Sequence, residues 1–307
     1  MDPLSDVLAL LKPVNYMSAG FDGGGDWAIQ FPDQTGTIKS GAIVTGRCWL
    51  AVEGVDEPVQ LESGDCFVLP RGEPFHLASQ MGVQPVQAAE VFTGAESGGI
   101  VSWNGGGDVF IVSSRFSVSE LHADMLLKLL PHIVHIRSTS DQTTLRWLVE
   151  RMMQELRAPQ PGSVLILQHL AHMILVQALR LHLDCRGVGL LSALADKNVG
   201  AAIAAMHEKP ALNWTVQELG KLTGMSRSSF AQRFKETVGT SPIDYLTRWR
   251  MLLASDRLMN SDDPISTIAF SLGYKSESAF STAFKRIIGR SPRQYSHSVK
   301  PRAYYLP

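Results

Sequence analysis

The 307-residue chain predicts a multidomain α+β protein: an N-terminal β-barrel or sandwich extended by a helical hairpin, then an all-α domain with two helix-turn-helix units. Three observations predict it. The first 120 residues are rich in Gly and carry short apolar runs broken by turn residues, a helical period takes over from about Leu121, and the last third contains an internal repeat. The length exceeds one average domain, and a hydrophobic content of 45% decides against disorder.

The runs at residues 41–45, 48–52, 66–69, 86–92 and 109–113 have the length and spacing of strands in an all-β domain. Residues 141–157 then place Leu145, Leu148, Met152 and Leu156 on one helical face, with Asp141 as the expected cap. Pro161-Gly162-Ser163 opens a second helix, 164–184, and the pair reads as an antiparallel hairpin. Gln168, His169, His172, Gln177, Arg180 and His182 interrupt that apolar helix, so it is expected to be buried in a soluble protein rather than to span a membrane. His169 and His172, one turn apart, read as packing or interface residues. Leu165, Leu167, Leu170, Met173, Ile174, Leu175, Val176 and Leu179 cannot all face one neighbour. This surplus predicts a homodimer through the hairpin with Leu175 and Leu179 in its interface, packing on the chain's own barrel being the competing arrangement. Gly187 and Gly189 place a linker at 186–196, between domains 1–185 and 197–307.

The net charge of −1 hides a division. From Gly200 onward 15 Lys and Arg face 8 Asp and Glu, a net of +7, whereas the preceding 199 residues carry 13 against 21, a net of −8. A basic end on an acidic body implies a polyanionic partner for that end, nucleic acid or an anionic surface. The N-terminus has no basic stretch before its short apolar run and no small-residue cleavage site, which predicts a cytoplasmic protein. Three widely spaced cysteines, Cys48, Cys66 and Cys185, suit a reducing compartment.

The internal repeat is specific. Ser226, Phe230, Phe234, Lys235, Gly239, Ser241, Pro242 and Tyr245 recur as Ser276, Phe280, Phe284, Lys285, Gly289, Ser291, Pro292 and Tyr295, at a constant shift of 50. Upstream the shift is 49, pairing Val216 with Ile265, Leu219 with Ile268, Gly220 with Ala269 and Gly224 with Gly273. Each copy reads as a short helix, a Gly-containing turn and a longer Ser-capped helix, and a helix from Pro242 to about Asn260 joins the copies. A solenoid reading is set aside, because solenoids need three or more copies. At about 100° per residue, Phe230 and Phe234 mark the buried side of the first longer helix, and Ser228, Gln232, Lys235 and Glu236 the opposite side, with Ser229 on the flank.

The stretch from Gly273 to Lys285, followed by Gly289-Arg290-Ser291-Pro292, closely resembles the signature of the AraC/XylS family of bacterial regulators, and the resemblance covers residues 202–295. It implies a sequence-specific transcriptional regulator of double-stranded DNA, with RNA polymerase as a further partner. Base contacts then fall on Ser228, Ser229 and Gln232 in the first copy and on Glu277, Ser278, Ser281 and Thr282 in the second. Lys235, Lys285 and Arg286 are expected on phosphates. Gln232, able to pair with adenine through two hydrogen bonds, is expected to be the sharpest reader.

Residues 64–76, with a Pro70-Arg71-Gly72 turn before His76, resemble the second motif of cupin barrels. The wider stretch from Arg47 resembles the cupin-type sensor domain of one branch of AraC-like regulators, which implies a small-molecule effector in the barrel. Arg47, Trp49 and His76 are the expected lining residues, with His76 pointing into the barrel. Cupin enzymes bind a metal through a His pair and a Glu upstream of that His. No His precedes His76 here, so neither a metal, another cofactor nor catalysis is expected. Alternatives are a cupin-type enzyme fused to the DNA-binding domain, a barrel that binds a protein partner, and oxidation of Cys48 or Cys66.

Overall fold

The computed structural model describes residues 2–118, 126–127, 130–138, 142–183 and 189–299. The chain divides into two compact units: Lys12–Arg186, and a second that joins Met1–Leu11 to Gly187–Pro307.

In the unit Lys12–Arg186 the described strands are β1 (Val14–Gly23), β2 (Ala28–Phe31), β3 (Thr37–Thr45), β4 (Arg47–Val52), β5 (Val59–Glu62), β6 (Cys66–Leu69), β7 (Phe75–Ala78), β8 (Val86–Gln87), β9 (Ile100–Trp103), β10 (Val109–Ser117) and β11 (Val134–Ile136). They form a six-stranded sheet in the order β11-β6-β3-β10-β1-β9 and a five-stranded sheet in the order β5-β4-β7-β2-β8. Alternation sets which side chains face the core. In β4, Cys48, Leu50 and Val52 are buried while Arg47, Trp49 and Ala51 are not. The core between the sheets is aromatic: Phe31 stacks on Phe75 with centroids 4.4 Å apart, and Phe21 meets Trp27 edge-on at 4.9 Å.

The expected strand at 86–92 ends after Gln87, and a short helix, Ala88–Val91, replaces the rest. Ala88, Ala89 and Glu90 favour a helical turn over a pleated strand. Beyond residue 121 the chain is not purely helical either, since β11 pairs with β6. The hairpin follows as two helices, Thr143–Arg157 and Ser163–His182. Leu145, Leu148, Met152 and Leu156 are buried as their spacing requires, and the expected cap Asp141 lies outside the described residues. Buried Glu155 accepts the Ser163 hydroxyl at 2.6 Å and pairs with Arg151 at 2.7 Å, which ties the second helix to the first. His172 packs edge-on against Phe116 at 5.1 Å, whereas His169 is exposed.

One expectation is overturned here. Leu175 and Leu179, read as interface residues, are 1% and 2% exposed and belong to the core of their own unit. The helix lies against β1, β6 and β11, so the face carrying these leucines is already covered. Exposed apolar side chains lie elsewhere on the hairpin, with Trp147 at 57%, Leu165 at 62% and Met173 at 50%. Among the described residues, Ser163–His182 is also the helix long and apolar enough to cross a membrane.

The second unit is helical: α1 (Pro3–Leu11), Leu190–Ala195, Lys197–Glu208, Val216–Leu222, Arg227–Val238, Pro242–Asn260, Ile265–Ser271, Glu277–Ile288 and Pro292–Val299. Two features depart from the sequence reading. The segment expected as linker contains the helix Leu190–Ala195, whose Leu190, Leu191 and Ala193 are buried. Asp196 caps the next helix through the amides of Asn198 and Val199 and pairs with Arg233 at 2.7 Å. The second departure is α1, which belongs to the helical unit and packs against Lys197–Glu208 and Pro242–Asn260. Asp6 meets Nδ1 of buried His207 at 3.2 Å, and Nε2 of that ring lies 2.9 Å from the Tyr245 hydroxyl. His207 also stacks on Trp249 with centroids 3.6 Å apart. Burial lowers His207 to about 3, so the neutral ring donates to Asp6 and accepts from Tyr245.

Candidate nucleic-acid interface and barrel pocket

The repeat folds as two equivalent units on one frame. Val216–Leu222 and Arg227–Val238 form the first, Ile265–Ser271 and Glu277–Ile288 the second, and both rest on Pro242–Asn260. Each turn holds a glycine with positive φ, Gly224 at 69° and Gly273 at 84°. The same backbone bond closes both turns: Met225 N donates to Gly220 O at 2.8 Å, and Tyr274 N to Ala269 O at 3.1 Å. A Cβ on Gly220 would press the Met225 carbonyl, which explains the small residue at this crossing. Ser226 and Ser276 cap the longer helices by accepting from the amides of Ser229 and Ala279, each at 3.2 Å.

Phe230 and Phe234 are fully buried, 5.7 Å apart, and Phe234 lies 5.8 Å from Tyr245. Phe280, Phe284 and Tyr295 repeat the arrangement with both separations at 5.6 Å. Anchoring these faces leaves Ser228, Ser229, Gln232, Lys235 and Glu236 exposed on the first helix. On the second, Ser278, Thr282, Lys285 and Arg286 are exposed, and Glu277 and Ser281 are partly so. Sequence reasoning placed Glu236 on this face but gave it no role. The Gln232 amide donates to its carboxylate at 2.9 Å. The remaining amide N–H and the amide oxygen stay free for a base edge. Not every cation serves the outer face. Arg250 is buried and donates to the carbonyls of Pro210 and Leu212 at 2.6 and 2.7 Å, and Arg233 is held by Asp196.

In the barrel the expected lining is corrected for His76 and Trp49. Phe75 and Leu77 point into the core, so His76 between them faces the other side of its sheet. Its cross-strand neighbours are Gln30 and Ala51. Trp49 and Arg47 share that outward face, because Cys48 and Leu50 take the inward positions. Arg47 instead borders a cavity of about 580 Å³ together with Trp27, Glu62 and Asp108. His76 therefore has no companion ligands for a cupin-type metal, and the residues present do not fit one. Among the described residues no group of three or more His, Cys, Asp or Glu side chains is placed to hold a metal. Cys48 and Cys66 are buried, and burial pushes both thiols up to about 12, which holds them in the unreactive form. Cys185 lies outside the described residues.

A different set of side chains converges inside the barrel. Three successive cross-strand rows cover the inner face of the six-stranded sheet: Phe21–Ile111–Ile43, Ala19–Ser113–Gly41 and Met17–Arg115–Lys39. The first row is core, the second is small, and the third is cationic. The small row opens a cavity of about 330 Å³, closed opposite by Phe31, Ala88 and Phe92. Lys39 is 7% exposed, and its ammonium donates to the Ser113 hydroxyl at 3.0 Å. The sequence carries a signal for this site: Lys39 is in phase with Ile43, and Arg115 with Ile111.

Comparison with known proteins accords with both units. Residues 2–184 match a cupin family model, and residues 219–298 match a helix-turn-helix domain model. An AraC-like transcription regulator of Streptomyces lividans is 42% identical over 306 residues, 98% of this chain and 100% of its own. Another, of Streptomyces antibioticus, is 41% identical over 305 residues, again 98% of this chain and 100% of its own. Among solved structures, the C-terminal domain of AraT, a response regulator from Geobacillus stearothermophilus, is 28% identical, covering 36% of this chain and 93% of that one, at a TM-score of 0.35. With a cupin N-terminal domain and a duplicated helix-turn-helix behind it, the chain belongs to the AraC-like transcription regulators, DNA-binding proteins of the helix-turn-helix class.

Proposed function

We propose that both reading helices bind one operator, that a small molecule held in the barrel controls this binding, and that the working form is a cytoplasmic homodimer. The observation that carries the reading is the pairing of two equivalent exposed polar faces in one unit with an internal cavity in the other. Ser228, Ser229, Gln232, Glu277, Ser278, Ser281 and Thr282 are the base-contacting set, and Lys235, Lys285 and Arg286 hold phosphates. Family membership supports RNA polymerase as the partner through which the bound regulator acts. Selection of DNA from a random library by wild type and by Gln232→Ala tests the reading: wild type recovers one motif and the variant loses preference at one base pair. Recovery of the same motif by both refutes the proposed face.

Exposed Leu165 and Met173 support dimerisation through the hairpin, since two covalently separate readers gain from effective concentration. Light scattering of the full chain is expected to give a dimer that Leu165→Glu or Met173→Glu converts to a folded monomer. Wild type that is already monomeric at micromolar concentration overturns this part.

A further inference from the structure

We infer that the barrel cavity bounded by Lys39 and Arg115 binds an organic carboxylate on a compact apolar body. The inference deepens the effector reading and rests on it.

The two cations are direct cross-strand neighbours on the inner face of the sheet. None of the residues lining the cavity is acidic, and among the described residues neither cation has an ion-pair partner. Two like charges side by side in a barrel interior oppose folding unless an anion joins them or the amine gives up its proton. Their hydrogen-bonding capacity is also open. Lys39 uses one donor on Ser113, and the buried Arg115 Nε has no partner. A guanidinium and an ammonium converging on one space match the two oxygens of a carboxylate.

The remainder of the wall specifies the rest of the ligand. The Phe31 ring lies 5.5 Å from Lys39 Nζ and 5.7 Å from the Arg115 guanidinium, and Met17, Ala19, Ala88 and Phe92 extend the apolar surface. Exposed Pro32, Gln87 and Ala89 rim the opening, so the cavity is reached from solvent. Burial first, and Arg115 second, hold the Lys39 amine well below its ordinary range. A bound carboxylate offsets both, so affinity weakens as pH rises through the titration of that amine.

The test uses the full chain with sodium octanoate and sodium benzoate, and 1-octanol and benzyl alcohol as uncharged counterparts at equal ionic strength. At least one carboxylate is expected to bind saturably by calorimetry and to raise the Tm, its alcohol binding far more weakly. Lys39→Met and Arg115→Met are each expected to weaken that binding by about thirtyfold. Each is also expected to raise the Tm of the ligand-free protein by about 2–4 °C, since each removes one of two adjacent like charges that share no counter-ion. A merely structural role predicts a lower ligand-free Tm. The inference is overturned by absence of carboxylate binding up to millimolar concentration, by alcohols that bind as well, or by unaltered carboxylate binding in both Met variants. Alcohol binding that Ala89→Trp blocks keeps the barrel as effector site while removing the carboxylate. Carboxylate binding that leaves operator affinity unchanged supports the site and overturns the effector reading.

Discussion

The two helix-turn-helix units bury the same pair of phenylalanines with a tyrosine behind them, yet one turn beyond Gln232 the first unit carries Glu236, and one turn beyond Thr282 the second carries Arg286. In the first, Glu236 holds the Gln232 amide at 2.9 Å, whereas in the second the Thr282 hydroxyl turns back to its own helix, on the Ser278 carbonyl at 3.0 Å. The tyrosines behind them differ too. Tyr245 is bonded to His207 and through it to Asp6 of α1, while the Tyr295 hydroxyl meets the Met259 sulfur at 3.4 Å. Packing allows little change where two phenylalanines must fill one space, and leaves the solvent side free to diverge in charge. Under the proposed function, the first unit is the sharper reader of bases and the second adds a cation for the backbone.

The largest effect expected is the one on which the units should agree. Phe230→Ala and Phe280→Ala each remove a fully buried ring and are expected to cost about 3–5 kcal/mol in urea unfolding. A loss confined to one of them breaks the equivalence.

Acid should separate the units. His207 is lowered in the folded state from 6.5 to about 3, so the unfolded chain binds the proton first as pH falls. Its contribution is complete above pH 6.5 and is lost progressively toward pH 3, of order a few kcal/mol. Asp6, whose carboxyl burial pushes up, offsets part of that loss at the acid end. Hydrogen exchange between pH 7 and 4 is expected to show early loss of protection in α1 and around Tyr245, with the helix bearing Phe280 and Phe284 protected longer. Simultaneous loss in both units would remove the distinction.

For DNA, Gln232→Ala is expected to cost about 1–3 kcal/mol at the preferred operator and to relax one position. Thr282→Ala should cost less, because that hydroxyl is already bonded within its helix. Competition binding against point-substituted operators measures both, and a larger loss for Thr282→Ala reverses the assignment of reader and anchor. Smallest is Lys285→Ala, expected to weaken all sequences alike and to reduce the salt slope by about 0.9. A sequence-dependent loss in titrations at several salt concentrations places Lys285 on a base instead.

Much of the helical unit was legible in the sequence because a helix constrains residues that are near in the chain. Shifts of 49 and 50 located both units, and the spacing of Phe230, Phe234, Phe280 and Phe284 alone divided buried from exposed faces. Leu145, Leu148, Met152 and Leu156 were readable for the same reason. The barrel was different. In β4, Cys48 and Trp49 are both apolar, so local alternation leaves the inward face open, and only pairing with β5 and β7 turned Cys48 inward and Arg47 and Trp49 outward. The packing of α1 on the helical unit, the folding of 190–195 within the expected linker and the burial of Leu175 and Leu179 depend on which surface each element meets. Lys39 and Arg115 converge only because β3 and β10, distant in sequence, are hydrogen-bonded in one register. A period of 3.6 or 2 assigns side chains to faces of an element, but only long-range pairing decides which face is inside and which distant residues share a cavity.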